Sequence, residues 1–132
     1  TNPTIVHRDN LLHCSEVLKD TEIYAGDFDS IEKNVEQGDF VYFDPPYVPL
    51  TNTSSFTSYT TDGFTIDMQT ALRDLCVRLD QKGIRWIVSN SSSFIIRELY
   101  SGFRISTVLA HRAINSKGAK RGAIEEVIVR NF

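Results

Sequence analysis

Cysteine, tryptophan and methionine are scarce in this chain: of 132 residues two are Cys, one is Trp and one is Met. Cys14 and Cys76 stand alone, with no C-x-x-C pair and no histidine at ligand spacing. That pattern argues against a zinc site or a disulfide and leads us to expect two buried, reduced thiols and no bound metal. No apolar run approaches the roughly 18 residues needed to cross a bilayer, and no basic, apolar, small-residue leader opens the sequence, so the expectation is a cytoplasmic protein without a membrane partner. Internal repeats, low-complexity tracts and linkers are also missing. What remains, 41% apolar and 23% charged residues, is the composition of a single soluble domain with enough apolar residues for a core.

A net charge of −3 speaks weakly against a nucleic-acid partner, but it conceals an asymmetry. Residues 1–63 hold three Lys/Arg against eleven Asp/Glu, a net −8, whereas residues 64–132 hold eleven against six, a net +5. A chain divided in this way can keep one face for phosphates and stay acidic overall. The cluster Arg112, Lys117, Lys120 and Arg121 is the candidate for that face, or else an exposed turn of solvated charges.

The periodicity predicts an α/β order. A short helix over 10–19 is capped by Asp9 and carries the stripe Leu11, Leu12, Val17 and Leu18. A strand over 21–25 ends at Gly26-Asp27-Phe28, and a second short helix over 31–36 stops at Gly38. Phe40 to Phe43 is nearly all apolar, as in a parallel strand covered on both faces. From Val48 to Gly63 the chain is rich in Thr and Ser, with Phe56 and Tyr59 set into it; this suits either a mobile lid or a plain connector. Leu72, Leu75, Cys76 and Leu79 fall at i, i+3, i+4, i+7 in a helix over 67–82 that Gly83 stops. A buried strand over 84–89 follows. The polar run Ser89-Asn90-Ser91-Ser92-Ser93 then either lines that strand's carboxyl end or caps the helix over 94–100. Strands over 103–110 and 123–130, joined by the basic turn 115–122, read as an antiparallel hairpin.

The most informative residues are Asp44-Pro45-Pro46-Tyr47, placed directly after the apolar strand. In open α/β sheets, ligands sit beyond the carboxyl ends of the strands. Asp44 supplies a carboxylate there. The two prolines, with φ near −65° and no N–H, present carbonyls without competing donors, and Tyr47 offers a ring on which a base can stack. A carboxylate and the Pro45 carbonyl, each accepting one N–H of an aromatic amine, would pull its nitrogen toward tetrahedral geometry and aim its lone pair. The tetrapeptide resembles the catalytic motif of amino-group methyltransferases.

Further blocks narrow the resemblance. Asn2-Pro3-Thr4-Ile5, Gly26-Asp27-Phe28, the run from Asp44 to Leu50, Ser55 to Thr60, Asp62-Gly63-Phe64, Ser89-Asn90-Ser91, Arg97 to Tyr100, Arg112 to Ser116 and Lys120-Arg121-Gly122 occur in the order found in the Dam-type (D12 class) N6-adenine DNA methyltransferases. The resemblance implies a partial Rossmann-like, S-adenosylmethionine-dependent methyltransferase sheet ending in a C-terminal antiparallel hairpin. It implies that Asp44, Pro45, Pro46 and Tyr47 hold a flipped adenine, and that Asp27 and Phe28, with Asp44 beside them, contact the cofactor. It implies that Phe56, Tyr59, Arg112, Asn115, Lys117, Lys120 and Arg121 face double-stranded DNA. Members of the family begin with a glycine-rich strand-turn and an inserted target-recognition region, neither of which is found here. Residues 1–132 therefore resemble the C-terminal part of one catalytic domain, expected to be weak or inactive alone unless a second chain completes the sheet. N4-cytosine or RNA adenine methylation, and a non-catalytic remnant that binds DNA or a partner, are the alternatives.

Overall fold

The structure is a computed structural model that describes residues 6–50, 63–111 and 123–132, with the side chain of His111 left aside. Four strands form one mixed sheet. In chain order the elements are α1 (Arg8–Val17), a 3-10 helix (Phe28–Lys33), β1 (Phe40–Phe43), α2 (Ile66–Gln81), β2 (Arg85–Ser91), α3 (Phe94–Leu99), β3 (Arg104–His111) and β4 (Ala123–Arg130). The sheet order is β1-β2-β4-β3, so the last strand lies inside the sheet. β1 and β2 run parallel, pairing Val41 with Trp86 and Phe43 with Val88, while β4 is antiparallel to both β2 and β3. The expected parallel pair and C-terminal hairpin are both present.

One face of the sheet is covered. Val41, Phe43, Trp86, Val88, Val127 and Val129 point to it and are buried beneath Leu72, Leu75, Cys76 and Leu79 of α2 and Ile96 of α3. Trp86 and Tyr100 are the largest fully buried side chains, and the Phe103 ring meets Trp86 edge-on at 4.7 Å. On the other face Phe40 and Tyr42 remain 51% and 56% exposed, so β1 is covered on one side only and forms the sheet's edge among the described residues. That corrects the expectation of a strand buried on both faces.

Local sequence explains how the elements begin and end. Thr65 opens α2 by accepting the Met68 N–H at 3.2 Å. Gly83, at φ +72°, closes it: the Gly83 N–H reaches the Asp80 carbonyl and the Ile84 N–H the Leu79 carbonyl, an arrangement that needs the left-handed conformation glycine adopts without strain. Asn131 ties the far end together. Its Oδ1 accepts from the Trp86 N–H at 3.0 Å, while Nδ2 donates to the Asp80 carboxylate and the Ile84 carbonyl.

Three expectations fail near the amino end. The residues of the predicted strand over 21–25 form no strand, because no described neighbour pairs with them and an isolated strand has no ladder to hold it. His7, not Asp9, precedes the first turn of α1. None of α1 is buried, so Leu11, Leu12, Val17 and Leu18 are exposed and Cys14 is an exposed thiol; of the two cysteines only Cys76 is buried.

Burial pushes the Cys76 thiol up to about 12 from an ordinary 9.0, and the buried Tyr100 phenol also upward. A pKa raised by folding stabilises the native state fully below the unfolded value and loses that contribution as pH rises through the folded one. Stability should therefore hold up to about pH 9 and fall steeply between there and about pH 12. Cys76→Val should flatten part of that slope in urea titrations at stepped pH, leaving the part due to Tyr100.

Candidate active site

The tetrapeptide leaves β1 at its carboxyl end, beside the carboxyl end of the parallel strand β2. Strand alternation sends Tyr42 and Asp44 to the open face of the sheet, on which Ser89 of β2 also lies. The Ser89 hydroxyl donates to the Asp44 carboxylate at 2.7 Å; its 3.4 Å approach to the Phe43 carbonyl is the weaker contact. Asp44 is an exposed residue with one carboxylate oxygen anchored to the sheet. The half-buried Tyr47 has its phenol pKa raised, chiefly by burial; a hydrogen bond with Ser89 opposes this, and the Glu126 and Asp44 charges and Tyr42 add to it more weakly. The ring therefore stays neutral where it borders the carboxylate.

Two buried amides hold the segment from beneath. Asn90, next in β2 after Ser89, accepts the Val48 N–H at 3.1 Å through Oδ1 and donates to Gln69 Oε1 at 3.2 Å through Nδ2. Gln69, on α2, donates from Nε2 to the Pro46 carbonyl at 2.8 Å. The polar run after β2 thus divides its work: Ser89 anchors Asp44, Asn90 holds Val48, and Ser93 caps α3 by accepting the Ile96 N–H. Both sequence readings of that run are correct, for different residues. Gln69 was missed, though its signal was present as a polar residue in register with the apolar stripe Leu72, Cys76 and Leu79.

Asp27 precedes the 3-10 helix, its carbonyl accepting from the Ser30 N–H and hydroxyl, while its side chain makes no capping bond. Phe28 is half-buried and packs on Phe64, ring centroids 5.6 Å apart. This turn is tied to α2 by Arg78, which reaches Asp29 at 3.2 Å and Glu32 at 2.8 Å, and by Lys82, 3.0 Å from Glu32. Lys82 and then Arg78 hold the Glu32 carboxyl below its usual range. Phe56, Tyr59, Arg112, Asn115, Lys117, Lys120 and Arg121 lie outside the described residues. Among the described residues no group of three His, Cys, Asp or Glu is placed to hold a metal, and no helix is long and apolar enough to cross a membrane. A cleft of about 620 Å³ lined by Arg73, Phe94, Glu98 and Phe103 lies between α2 and α3 and shares no residue with the tetrapeptide.

The sequence pattern of the D12 class N6 adenine-specific DNA methyltransferases matches residues 1–114. The chain belongs to that family. It is 46% identical over 133 residues to the Type II methyltransferase M1.LlaDCHI of Lactococcus lactis subsp. cremoris, covering 99% of this chain and 47% of that protein. It is 44% identical to the Type II methyltransferase M.MjaIII of Methanocaldococcus jannaschii, again over 99% of this chain and 46% of the relative. Against the DNA adenine methylase of Escherichia coli K12 the identity is 30%, over 89% of this chain and 42% of that enzyme. The chain spans a little under half the length of these relatives. The mixed four-strand sheet agrees with part of a methyltransferase fold of this family.

Proposed function

We propose that this chain carries the amino-group chemistry of an enzyme that methylates N6 of adenine in duplex DNA from S-adenosylmethionine. The observation that carries the reading is an Asp44 carboxylate fixed by Ser89 at the carboxyl end of β1, with the Pro46 carbonyl already engaged by Gln69. Asp44 and the Pro45 carbonyl then accept the two N–H groups of the adenine amine, whose lone pair is otherwise delocalised into the ring. Carboxylate and carbonyl draw that lone pair out of conjugation, and Asp44 takes up the proton released as the nitrogen becomes methylated. Tyr47, neutral and half-buried, stacks on the base, a contact worth about 1–3 kcal/mol. The base must be flipped out of the duplex for its amine to reach these groups.

The residues present fit the adenosine portion of the cofactor. Asp27 has a carboxylate uncommitted to capping, suited to hydroxyl or amine donors, and Phe28 brings an aromatic surface next to it, held against Phe64. When bound, S-adenosylmethionine supplies a methyl group activated by its sulfonium. Phe56 and Tyr59 would close on DNA, and Arg112, Asn115, Lys117, Lys120 and Arg121 would approach its phosphates.

The test is to incubate the protein, in its native context, with duplex DNA and labelled S-adenosylmethionine and to digest the product to nucleosides. Label is expected in N6-methyladenine. Label in N4-methylcytosine, or with RNA alone as acceptor, would replace this substrate assignment.

A further inference from the structure

Gln69 and Asn90 are both fully buried primary amides, a costly arrangement unless every donor and acceptor is used. Here the bonds form a directed chain. Asn90 Oδ1 receives two backbone N–H groups, from Val48 at 3.1 Å and Ser91 at 2.8 Å. Backbone donors cannot turn around, so the atom facing them must be the oxygen and the amide has one orientation. Its nitrogen therefore faces Gln69, whose Oε1 accepts at 3.2 Å. That in turn leaves the Gln69 nitrogen facing the Pro46 carbonyl, to which it donates at 2.8 Å.

The two ends of this chain grip the backbone on either side of Tyr47: the carbonyl of Pro46 before it and the N–H of Val48 after it. The same bonds join β2 and α2 to a segment that otherwise follows β1 as irregular backbone. With the Pro46 carbonyl occupied from beneath, the preceding carbonyl of Pro45 is the one left to a ligand. We infer that Gln69 and Asn90 are positioning residues that set the Tyr47 ring and the Pro45 carbonyl for methyl transfer through a polarised pair of amides. The inference rests on the adenine-methylation reading of Asp44.

The polarity of the pair supplies its test. Asn90→Asp is almost isosteric, and the new carboxylate can still accept from Val48 and Ser91, but it has no donor for Gln69. Gln69 must turn its nitrogen toward the carboxylate and its oxygen toward the Pro46 carbonyl, and the grip on that carbonyl is lost. Gln69→Leu removes both bonds with little change of volume. In the native context both variants should lower kcat by about 10²-fold, the scale of a small misplacement of reacting groups, with KM for duplex DNA and for S-adenosylmethionine unchanged. On the chain itself, hydrogen exchange at the Val48 amide should accelerate in Gln69→Leu while the amides of Leu72 and Leu75 keep their protection.

Unchanged kcat together with unchanged Val48 exchange overturns the inference, as does a loss that appears entirely in KM. If Gln69→Leu fails to fold, Asn90→Asp decides alone. Asp44→Ala is run in parallel: if it abolishes methylation while the amide variants do not, only the positioning role fails, and if it leaves methylation intact, the underlying reading fails and the positioning role with it.

Discussion

Asp44→Ala is expected to reduce the single-turnover rate of adenine methylation by about 10²–10³-fold, the effect of removing one fixed group that stabilises charge in a transition state. The nucleophile is the reason for so large an effect. Without a carboxylate at its N–H, the amine keeps its lone pair in the ring and has no acceptor for its proton. Asp44 is exposed and bonded to Ser89 at the sheet's end, so its removal should change stability by no more than about 0.5 kcal/mol. An unaltered thermal midpoint alongside a collapsed rate is the expected pair of results. Asp44→Asn keeps an oxygen that can accept one N–H and should retain more activity than alanine. A wild-type rate in Asp44→Ala would remove the carboxylate from the chemistry altogether.

Trp86→Ala should be the most damaging change to the fold. Trp86 is fully buried on β2, pairs in register with Val41, and touches Phe103 at 4.7 Å and Tyr100 at 6.4 Å. Truncating such a side chain costs about 3–5 kcal/mol through lost burial and the cavity left behind. Whole domains have only about 5–15 kcal/mol to lose. Urea unfolding followed by far-UV circular dichroism measures the loss, since the variant lacks the chain's single tryptophan. Trp86→Phe should cost less, because the indole N–H has no partner among the described residues and nothing polar is orphaned by its removal. A midpoint within error of wild type for Trp86→Ala would mean that this ring does not anchor the core.

The parts of the structure legible in the sequence are those in which local pattern and tertiary demand coincide. The i, i+3, i+4, i+7 stripe from Leu72 to Leu79 and the stop at Gly83 give α2 directly, because the same residues that favour a helix also face the sheet. The apolar run before Asp44 places the tetrapeptide at a strand's carboxyl end. Periodicity misled where a partner was assumed. Residues 21–25 read as a strand ending at Gly26, yet have no described strand to pair with, and the stripe on α1 faces solvent. The bonds from Ser89 to Asp44 and from Gln69 to Pro46 span 45 and 23 residues, and no spacing rule connects such positions. A glutamine on an apolar helix face signals that a polar partner must exist, though only the folded chain identifies it.

The strand order bears on how this polypeptide is made. Because β4 lies between β2 and β3 and follows both in sequence, among the described strands β2 has only β1 to pair with until β4 is made, and β3 has no partner. Closure awaits translation of Arg130, and Asn131 must follow before the Trp86 amide is satisfied. Until the ribosome reaches those codons, Val88 and Ile105 lack the valine they later share, so a stalled or prematurely stopped transcript yields a sticky, protease-sensitive product rather than a smaller working one.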